Sequence, residues 1–354
     1  MTNMDSISKP TDTLDVLDIA VDWLSQGRRA ALATVTHTWG SAPRPVGSHL
    51  LIDDQGNFEG SVSGGCVEAA VITEALDVIE REAVAFVEFG VADETAWRVG
   101  LSCGGRIGVR IEPLSSPSLA SAIEGLAAAQ RERKAAAIIS SVNGSSAQLV
   151  YSPSEASYPT IADELTKRFV SGKSGSVKTE SGHEFFLTVR IPKPQLVVIG
   201  AVHITQALVP MVGATGFDMM VIDPRTAFAT PERFPDTQLK AEWPEDVFKN
   251  LSLDPYCAVI ALTHDPKIDD YALISALQSD CFYIGALGSR KTHASRCERL
   301  EKAGVTPKQL ARIHAPIGVN IGAANPAEIA VSVLAEIILA LRGPKPEPKR
   351  AEAP

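Results

Sequence analysis

Long apolar runs are missing from this sequence. The best candidate, Ile329 to Leu341, is interrupted by Ser332 and Glu336 and falls short of the roughly 20 apolar residues needed to span a bilayer. The first ten residues are polar, carry Asp5 and have no apolar secretory core, so the expected location is the cytoplasm, with no stable membrane insertion. A concentrated basic face is missing as well: 33 Lys plus Arg stand against 42 Asp plus Glu, a net charge of -9 without long single-sign runs. General nucleic-acid binding needs such a face, so no nucleic-acid partner is expected. Cysteine is scarce. Cys66, Cys103, Cys257, Cys281 and Cys297 are an odd, scattered set that makes no disulfide framework, and none has the C-x-x-C partner of a zinc knuckle.

What is present is a globular composition, with 45% hydrophobic and 21% charged residues. At roughly 150 residues per domain, the 354 residues make two domains or slightly more. Leu14, Leu17, Val21 and Leu24 fall at helical spacing, with Thr11 or Asp12 as N-cap and Gly27 as stop. Ala31 to Thr38 reads as a strand, and Ser48 to Asp53 with Phe58 to Ser63 as a hairpin around residues 54–57. A helix follows Gly64-Gly65, then strands at Ala83 to Phe89 and Arg106 to Glu112. From about Pro113 the pattern weakens to an Ala-rich helix around Leu119 to Gln130 and a hairpin of Ala135 to Ser140 with Gln148 to Tyr151, turning at residues 142–145. The polar stretch from Ser152 to Ser181 is assigned no element. Glu184 to Ile191 is a strand, and Pro192-Lys193-Pro194 marks a boundary. Beyond it, apolar runs at Leu196 to Ile199, Met219 to Ile222, Ala258 to Leu262 and Phe282 to Ile284 alternate with helical stretches, which predicts a parallel sheet.

Leu196 to Ile199 runs into Gly200, and Asp223 closes the next strand. This is the spacing of a dinucleotide fold, with a glycine turn, a helix N-terminus for phosphate and a carboxylate for ribose hydroxyls. The fingerprint is defective. Val202 stands where the second glycine lets backbone approach pyrophosphate, so it should obstruct NAD(P), and Thr205 occupies the third position. Arg225 could meet a 2′-phosphate or another anion, or be an ordinary surface arginine. His264 with Asp265 could orient an anion, act as acid and base or bind a metal with partners from elsewhere; the alternative is a capping Asp beside a surface His. Gly288, Ser289 and Arg290 open a helix and form either a phosphate site or a plain capping loop.

In the first domain, Ser63-Gly64-Gly65-Cys66-Val67-Glu68 places a thiol at the predicted first turn of a helix. Backbone N–H groups and the helix dipole favour thiolate there, making Cys66 a candidate nucleophile or soft-metal ligand. Cys103, before Gly104-Gly105, nearly mirrors it. Both could instead be buried small hydrophobes, the role expected of Cys257, Cys281 and Cys297. Glu68 could accept a proton or merely complement the helix N-terminus. Gly40, Ser41 and Arg44, between the first strand and the hairpin, could grip an anion or form only a tight turn.

Gly40-Ser-Ala-Pro-Arg44, Ser63-Gly-Gly-Cys-Val-Glu68, Cys103-Gly-Gly105, Ile222-Asp-Pro-Arg225, Thr263-His-Asp265 and Gly285-Ala-Leu-Gly-Ser-Arg290, followed by Pro316-Ile-Gly318 and Pro326-Ala-Glu-Ile-Ala330, occur in this order over residues 14–342. Together they resemble the XdhC/CoxI accessory proteins, and the version with Cys66 is similar to the CoxI-like branch. The resemblance implies a chaperone more than a free-standing enzyme: one that binds molybdenum cofactor (molybdopterin), supports its sulfuration with a sulfur donor such as a cysteine desulfurase, and delivers it to a client molybdenum hydroxylase of the xanthine dehydrogenase or CO dehydrogenase type. It also implies a homodimer. The cofactor would lie in a cleft between domains, its phosphate on helix N-termini with Gly200, His203, Arg290 or Arg44, and its metal or sulfur at Cys66 with Cys103. Where the family usually has Gly-x-Gly-His, this chain has Gly200-Ala-Val202-His203, which argues against NAD(P) but not against the fold. Two other readings compete, an NAD(P)-dependent oxidoreductase with Asp223 on ribose and a thiol-based redox protein or metallochaperone. The expected fold is α/β: an N-terminal mixed α+β domain over 12–192, including a connecting hairpin region at 113–192, then a Rossmann-like parallel domain over 195–342 and a disordered tail over 343–354.

Overall fold

The structure, a computed structural model, describes residues 15–40, 42, 44–90, 105–142 and 146–343. The chain divides into two compact units, residues 1–192 and 193–354. Apart from Gly343, the expected tail lies outside the described residues, as do Thr11, Asp12 and the hairpin turn at 143–145.

Unit 1 opens with α1 (Val16–Ser25), capped by Asp15, whose carboxylate accepts the Leu17 N–H at 3.0 Å. This cap corrects the expectation of Thr11 or Asp12, because the chain enters the helix one turn later. Then come β1 (Ala30–Trp39), β2 (His49–Asp53), β3 (Phe58–Gly60), α2 (Glu68–Arg81), β4 (Ala85–Phe89) and β5 (Arg106–Pro113). They form an antiparallel sheet of order β3-β2-β1-β5-β4. Side chains alternate along its strands. Ala31, Ala33, Val35, Leu50 and Ile52 bury against Val71, Ala75 and Val78 of α2, while Ala30, Leu32 and Leu51 bury against Leu17 and Trp23 of α1 on the other face. A bulge between Val35 and His37 shifts the β1–β5 register just before the end of the strand.

The rest of unit 1 is α3 (Pro117–Arg131), β6 (Ala136–Ser141), β7 (Ala147–Val150), α4 (Pro159–Ser171), β8 (Gly175–Lys178) and β9 (Glu184–Arg190), with an antiparallel sheet of order β7-β6-β9-β8. Ala136 and Ile138 pack on α3; Ala137, Ile139, Leu187 and Val189 pack on Ile161 and Leu165 of α4. Both α4 and β8 lie in the polar stretch that suggested no element.

Unit 2 is a doubly wound sheet. Its elements are β10 (Gln195–Ile199), α5 (His203–Ala214), β11 (Asp218–Ile222), β12 (Gln238–Lys240), α6 (Pro244–Val247), β13 (Cys257–Ala261), α7 (Pro266–Gln278), β14 (Tyr283–Ala286), α8 (Arg290–Lys302), α9 (Pro307–Leu310), β15 (Ile313–His314) and α10 (Pro326–Arg342). All strand pairings are parallel and the order is β12-β11-β10-β13-β14-β15, so the order reverses between β10 and β13. Every residue of β10 and β13 is buried because helices cover both faces, which is why these strands read as unbroken apolar runs. Cys257 and Cys281 belong to this core and Cys297 packs half-buried against it. No helix among the described residues is long and apolar enough to cross a membrane.

Candidate functional site

In unit 1 the glycine-bearing segments emerge at one end of the five-stranded sheet. β1 ends at Trp39, paired with Arg106, the first residue of β5, so Gly40 and Gly105 flank the same end of the paired strands. Gly60, at the end of β3, pairs with Leu50 near the same end and leads into the loop that carries Cys66. Ser41 and Cys103 lie outside the described residues; Gly40 is exposed, and Gly105 is buried directly before β5.

The loop is organised by Glu68. Its Oε1 accepts hydrogen bonds from the Ser61 hydroxyl (2.7 Å) and the N–H groups of Val62 (3.3 Å) and Ser63 (2.9 Å). Its Oε2 accepts from the Ser63 hydroxyl and the Gly65 N–H (2.9 Å). From the first position of α2 the carboxylate thus reaches back over the turn that precedes the helix and satisfies its N–H groups. Burial pushes the carboxyl upward, but the hydrogen bonds from Ser63 and Ser61 outweigh it and hold the pKa down at about 2. Of the two roles open from sequence, Glu68 therefore takes the structural one. The Ser63 hydroxyl accepts the N–H groups of Cys66 (3.0 Å) and Val67 (2.9 Å), and Gly64 N–H bonds Ser61 Oγ (2.8 Å). Helix α2 starts at Glu68, so Cys66 stands two residues ahead of it and not inside its first turn. Cys66 is half-buried, and with Ala42 it packs against the core under α2. Arg44 is tied to the same loop, its Nε donating to Ser61 O at 3.3 Å. The structure thus brings Arg44, Gly64, Gly65 and Cys66 together. Among the described residues no group of three or more His, Cys, Asp or Glu could hold a metal ion.

In unit 2 the candidate residues gather where β10, β11, β13 and β14 end. Gly200 has a φ of 119°, and a Cβ there would meet the Thr263 methyl at 2.9 Å. Its glycine is required by the end of β13, with no ligand involved. Val202 is the N-cap of α5 without a side-chain bond, and His203 is exposed at its first position. Asp223 is fully buried. Its Oδ2 accepts the Ala201 N–H (2.8 Å) and Arg225 Nη2 (2.7 Å), and its Oδ1 accepts Arg225 Nε and the Arg225 N–H, both at 2.9 Å. Burial raises the Asp223 carboxyl, but these bonds, Arg225 foremost, leave it below the usual carboxylate range. Arg225 also lies 4.4 Å over the Phe228 ring. The arginine is therefore neither poised for a 2′-phosphate nor idle on the surface: it occupies the carboxylate that ribose would use.

His264 is exposed with a φ of 64°. Its N–H donates to Asp269 Oδ2 at 3.0 Å while the Thr263 hydroxyl donates to Oδ1 at 2.7 Å. Asp269 was not singled out from sequence; nothing in the apolar helix signal marks a carboxyl that burial raises to about 6. Asp265 caps α7 through the Lys267 N–H (2.9 Å), and Ser289 caps α8 through the Thr292 N–H (3.2 Å). A Cβ on Gly288 would lie 3.8 Å from His264 Nδ1, so these two turns adjoin. Arg290 is exposed at the first position of α8.

Residues 196–337 match the family described as XdhC Rossmann domain, and residues 23–90 match the XdhC and CoxI family. The chain is similar to a probable xanthine dehydrogenase subunit of Bacillus subtilis (strain 168), 28% identical over 318 residues, which are 89% of this chain and 94% of that protein. It is also similar to the molybdenum cofactor insertion chaperone PaoD of Escherichia coli (strain K12), 28% identical over 328 residues, 92% of this chain and 88% of that protein. A crystal structure of a xanthine dehydrogenase from Bacillus halodurans shares the fold, with a TM-score of 0.61 and 24% identity, covering 96% of this chain and 98% of that one.

Proposed function

The chain belongs to the XdhC and CoxI family, and on that premise we propose that it is a maturation chaperone whose cargo is molybdenum cofactor. It supports sulfuration of that cargo and delivers it to a client molybdenum hydroxylase, drawing sulfur from a donor such as a cysteine desulfurase and working in the cytoplasm as a homodimer. The observation that carries this reading is the Ser61–Val67 loop, where Glu68 and Ser63 fix the backbone so that a half-buried thiol is held at a glycine turn in the same loop to which Arg44 is bonded. A thiolate there is a soft donor for molybdenum or a carrier of sulfane sulfur. As carrier, it attacks the outer sulfur of the donor's persulfide; the new S–S bond forms on Cys66 as the donor's S–S bond breaks, and the donor leaves as thiolate. The names borne by the two relatives support the same cargo. The oxidoreductase reading is disfavoured because both oxygens of Asp223 are bonded within the protein.

Co-expression of a client hydroxylase with this chain or its Cys66→Ser variant tests the reading through the client's molybdenum and cyanide-labile sulfur content. The variant should fold normally and lower client sulfur at least about tenfold. Equal sulfur and molybdenum with either protein removes the thiol from the mechanism.

A further inference from the structure

Unit 1 contains a cleft of about 860 Å³ whose wall holds Arg44 and none of the other candidate residues. It is bounded by the start of α1, the turn at 44–48, the end of β3, the turn at 172–174 and the end of β9. The turns are in contact: Gly47 has a φ of 87°, and a Cβ on it would lie 2.6 Å from Ser174 Cβ, so only glycine lets them close this wall. We propose that this cleft binds the phosphate monoester group of a small molecule.

Three cations from separate parts of the chain, Arg44, Lys173 and Arg190, line it, against Asp15 and Glu59. That excess of positive charge is local, in a protein of net charge -9. Arg190 Nε is buried 3.5 Å from Asp15 Oδ2, an ion pair without hydrogen-bond geometry, so the guanidinium is oriented while a donor remains unused. The second observation is His49, 3% exposed, a residue of the cleft wall. Its Nδ1 is 3.0 Å from the hydroxyl of Thr34, the residue paired with it on β1, and its Nε2 is buried with no hydrogen-bond partner among the described residues. Burial, then the charge of Arg190, hold this imidazole well below its ordinary pKa. It is therefore neutral, and in the tautomer in which the Thr34 hydroxyl donates to Nδ1 the ring carries Nε2–H as an unused donor. A buried unpaired donor beside two guanidinium groups and an ammonium fits a dianion with several acceptor oxygens. The cleft is far larger than phosphate and within the range of roughly 300–1,000 Å³ that holds a whole small ligand, so the phosphate arrives as an ester.

This inference does not rest on the maturation reading, because binding is measured without a client and the two fail separately. Equilibrium dialysis of the full chain against radiolabelled inorganic phosphate should show one saturable site per chain in the millimolar range or tighter. Arg190→Gln should weaken it at least tenfold and Lys173→Glu about as much, while Lys249→Ala on the surface of unit 2 should not change it. Lys173 is exposed, so its variant reports even if removing Arg190 perturbs folding. Competition then separates the sources: adenosine monophosphate tests for a nucleotide and 6-hydroxymethylpterin phosphate for a pterin, and displacement by either supports an ester site. No saturable binding up to about 10 mM, binding indifferent to both charge variants, or displacement by neither ester would overturn the proposal.

Discussion

In unit 1 a loop of successive N–H groups is folded around a carboxylate from the helix that follows it, and a thiol is left at the rim. In unit 2 the polar groups of three strand-end turns are bonded within the protein: Asp223 to Ala201 and Arg225, Asp265 to Lys267, Ser289 to Thr292. Both units carry motifs whose residue types suit ligand binding, yet the structures use them differently. The difference lies in where the anionic partner comes from. Glu68 supplies the loop of unit 1 with its anion from within, and Cys66 is presented as a result; in unit 2 Arg225 supplies the internal cation, and the ribose-type carboxylate is removed from use.

The strongest way to break this contrast is Glu68→Gln. An amide cannot accept at both ends, so the Gly65 N–H and the Ser63 hydroxyl would face a donor, at a cost of about 2–4 kcal/mol to unit 1. Because the folded carboxyl is depressed from 4.5 to about 2, its stabilisation is complete above pH 4.5 and is lost as the pH falls toward 2. Urea unfolding from pH 7 to pH 2.5 should show that acid loss in the wild type and a flatter profile in the variant. Equal midpoints at pH 7 would show that Glu68 does not organise the loop.

A smaller effect should come from unit 2, where two features stand against NAD(P) binding. If Val202 were the only obstacle, Val202→Gly alone would admit the cofactor; because Asp223 is already bonded on both oxygens, we expect the single variant to bind no better than wild type. Adding Arg225→Ala uncovers the carboxylate. The double variant should bind NAD about tenfold more tightly than the single one, about 1.4 kcal/mol, while unit 2 loses roughly 2 kcal/mol because Asp223 is left buried without its cation. Tryptophan fluorescence titration reads the first and thermal unfolding the second. Tight binding by Val202→Gly alone would mean that backbone approach, not the Asp223–Arg225 pair, sets the two units apart.

Much of this contrast was legible before any coordinates, and the parts that were not share a cause. The parallel sheet showed itself because strands buried on both faces read as continuous apolar runs. Helix α4 did not, since of its thirteen positions only Ile161 and Leu165 are buried. The elements β12, β15, α6 and α9 have two to four residues, too few for a period to register. Among site residues, Cys66 and its glycines were conspicuous by spacing, while the outcome at Asp223 depended on which way one guanidinium folds back, a torsion with no sequence signal. His49 lies in the apolar strand His-Leu-Leu-Ile-Asp and Arg190 ends a strand 141 positions later; only the approach of the two turns at Gly47 and Ser174 puts them on one cleft.

The smallest effect, and the finest test of the contrast, is at Arg290. It is an exposed cation at the first position of α8, where the helix dipole and the N–H groups favour negative charge. With the cap already provided by Ser289, the arginine has no stabilising role at that terminus. Arg290→Ala should therefore raise the stability of unit 2 by about 0.3 kcal/mol at low ionic strength, and the gain should shrink as salt screens the dipole. Paired urea titrations at low and high salt measure this. A loss of stability at low salt would mean that Arg290 is held by an anionic group of the protein, as Arg225 is by Asp223, and would make this turn self-satisfied like its neighbours. A gain would mark the arginine as a cation kept at a stability cost where an anion is welcome, a motif position of unit 2 that, unlike Asp223, Asp265 and Ser289, is not spent on its own turn.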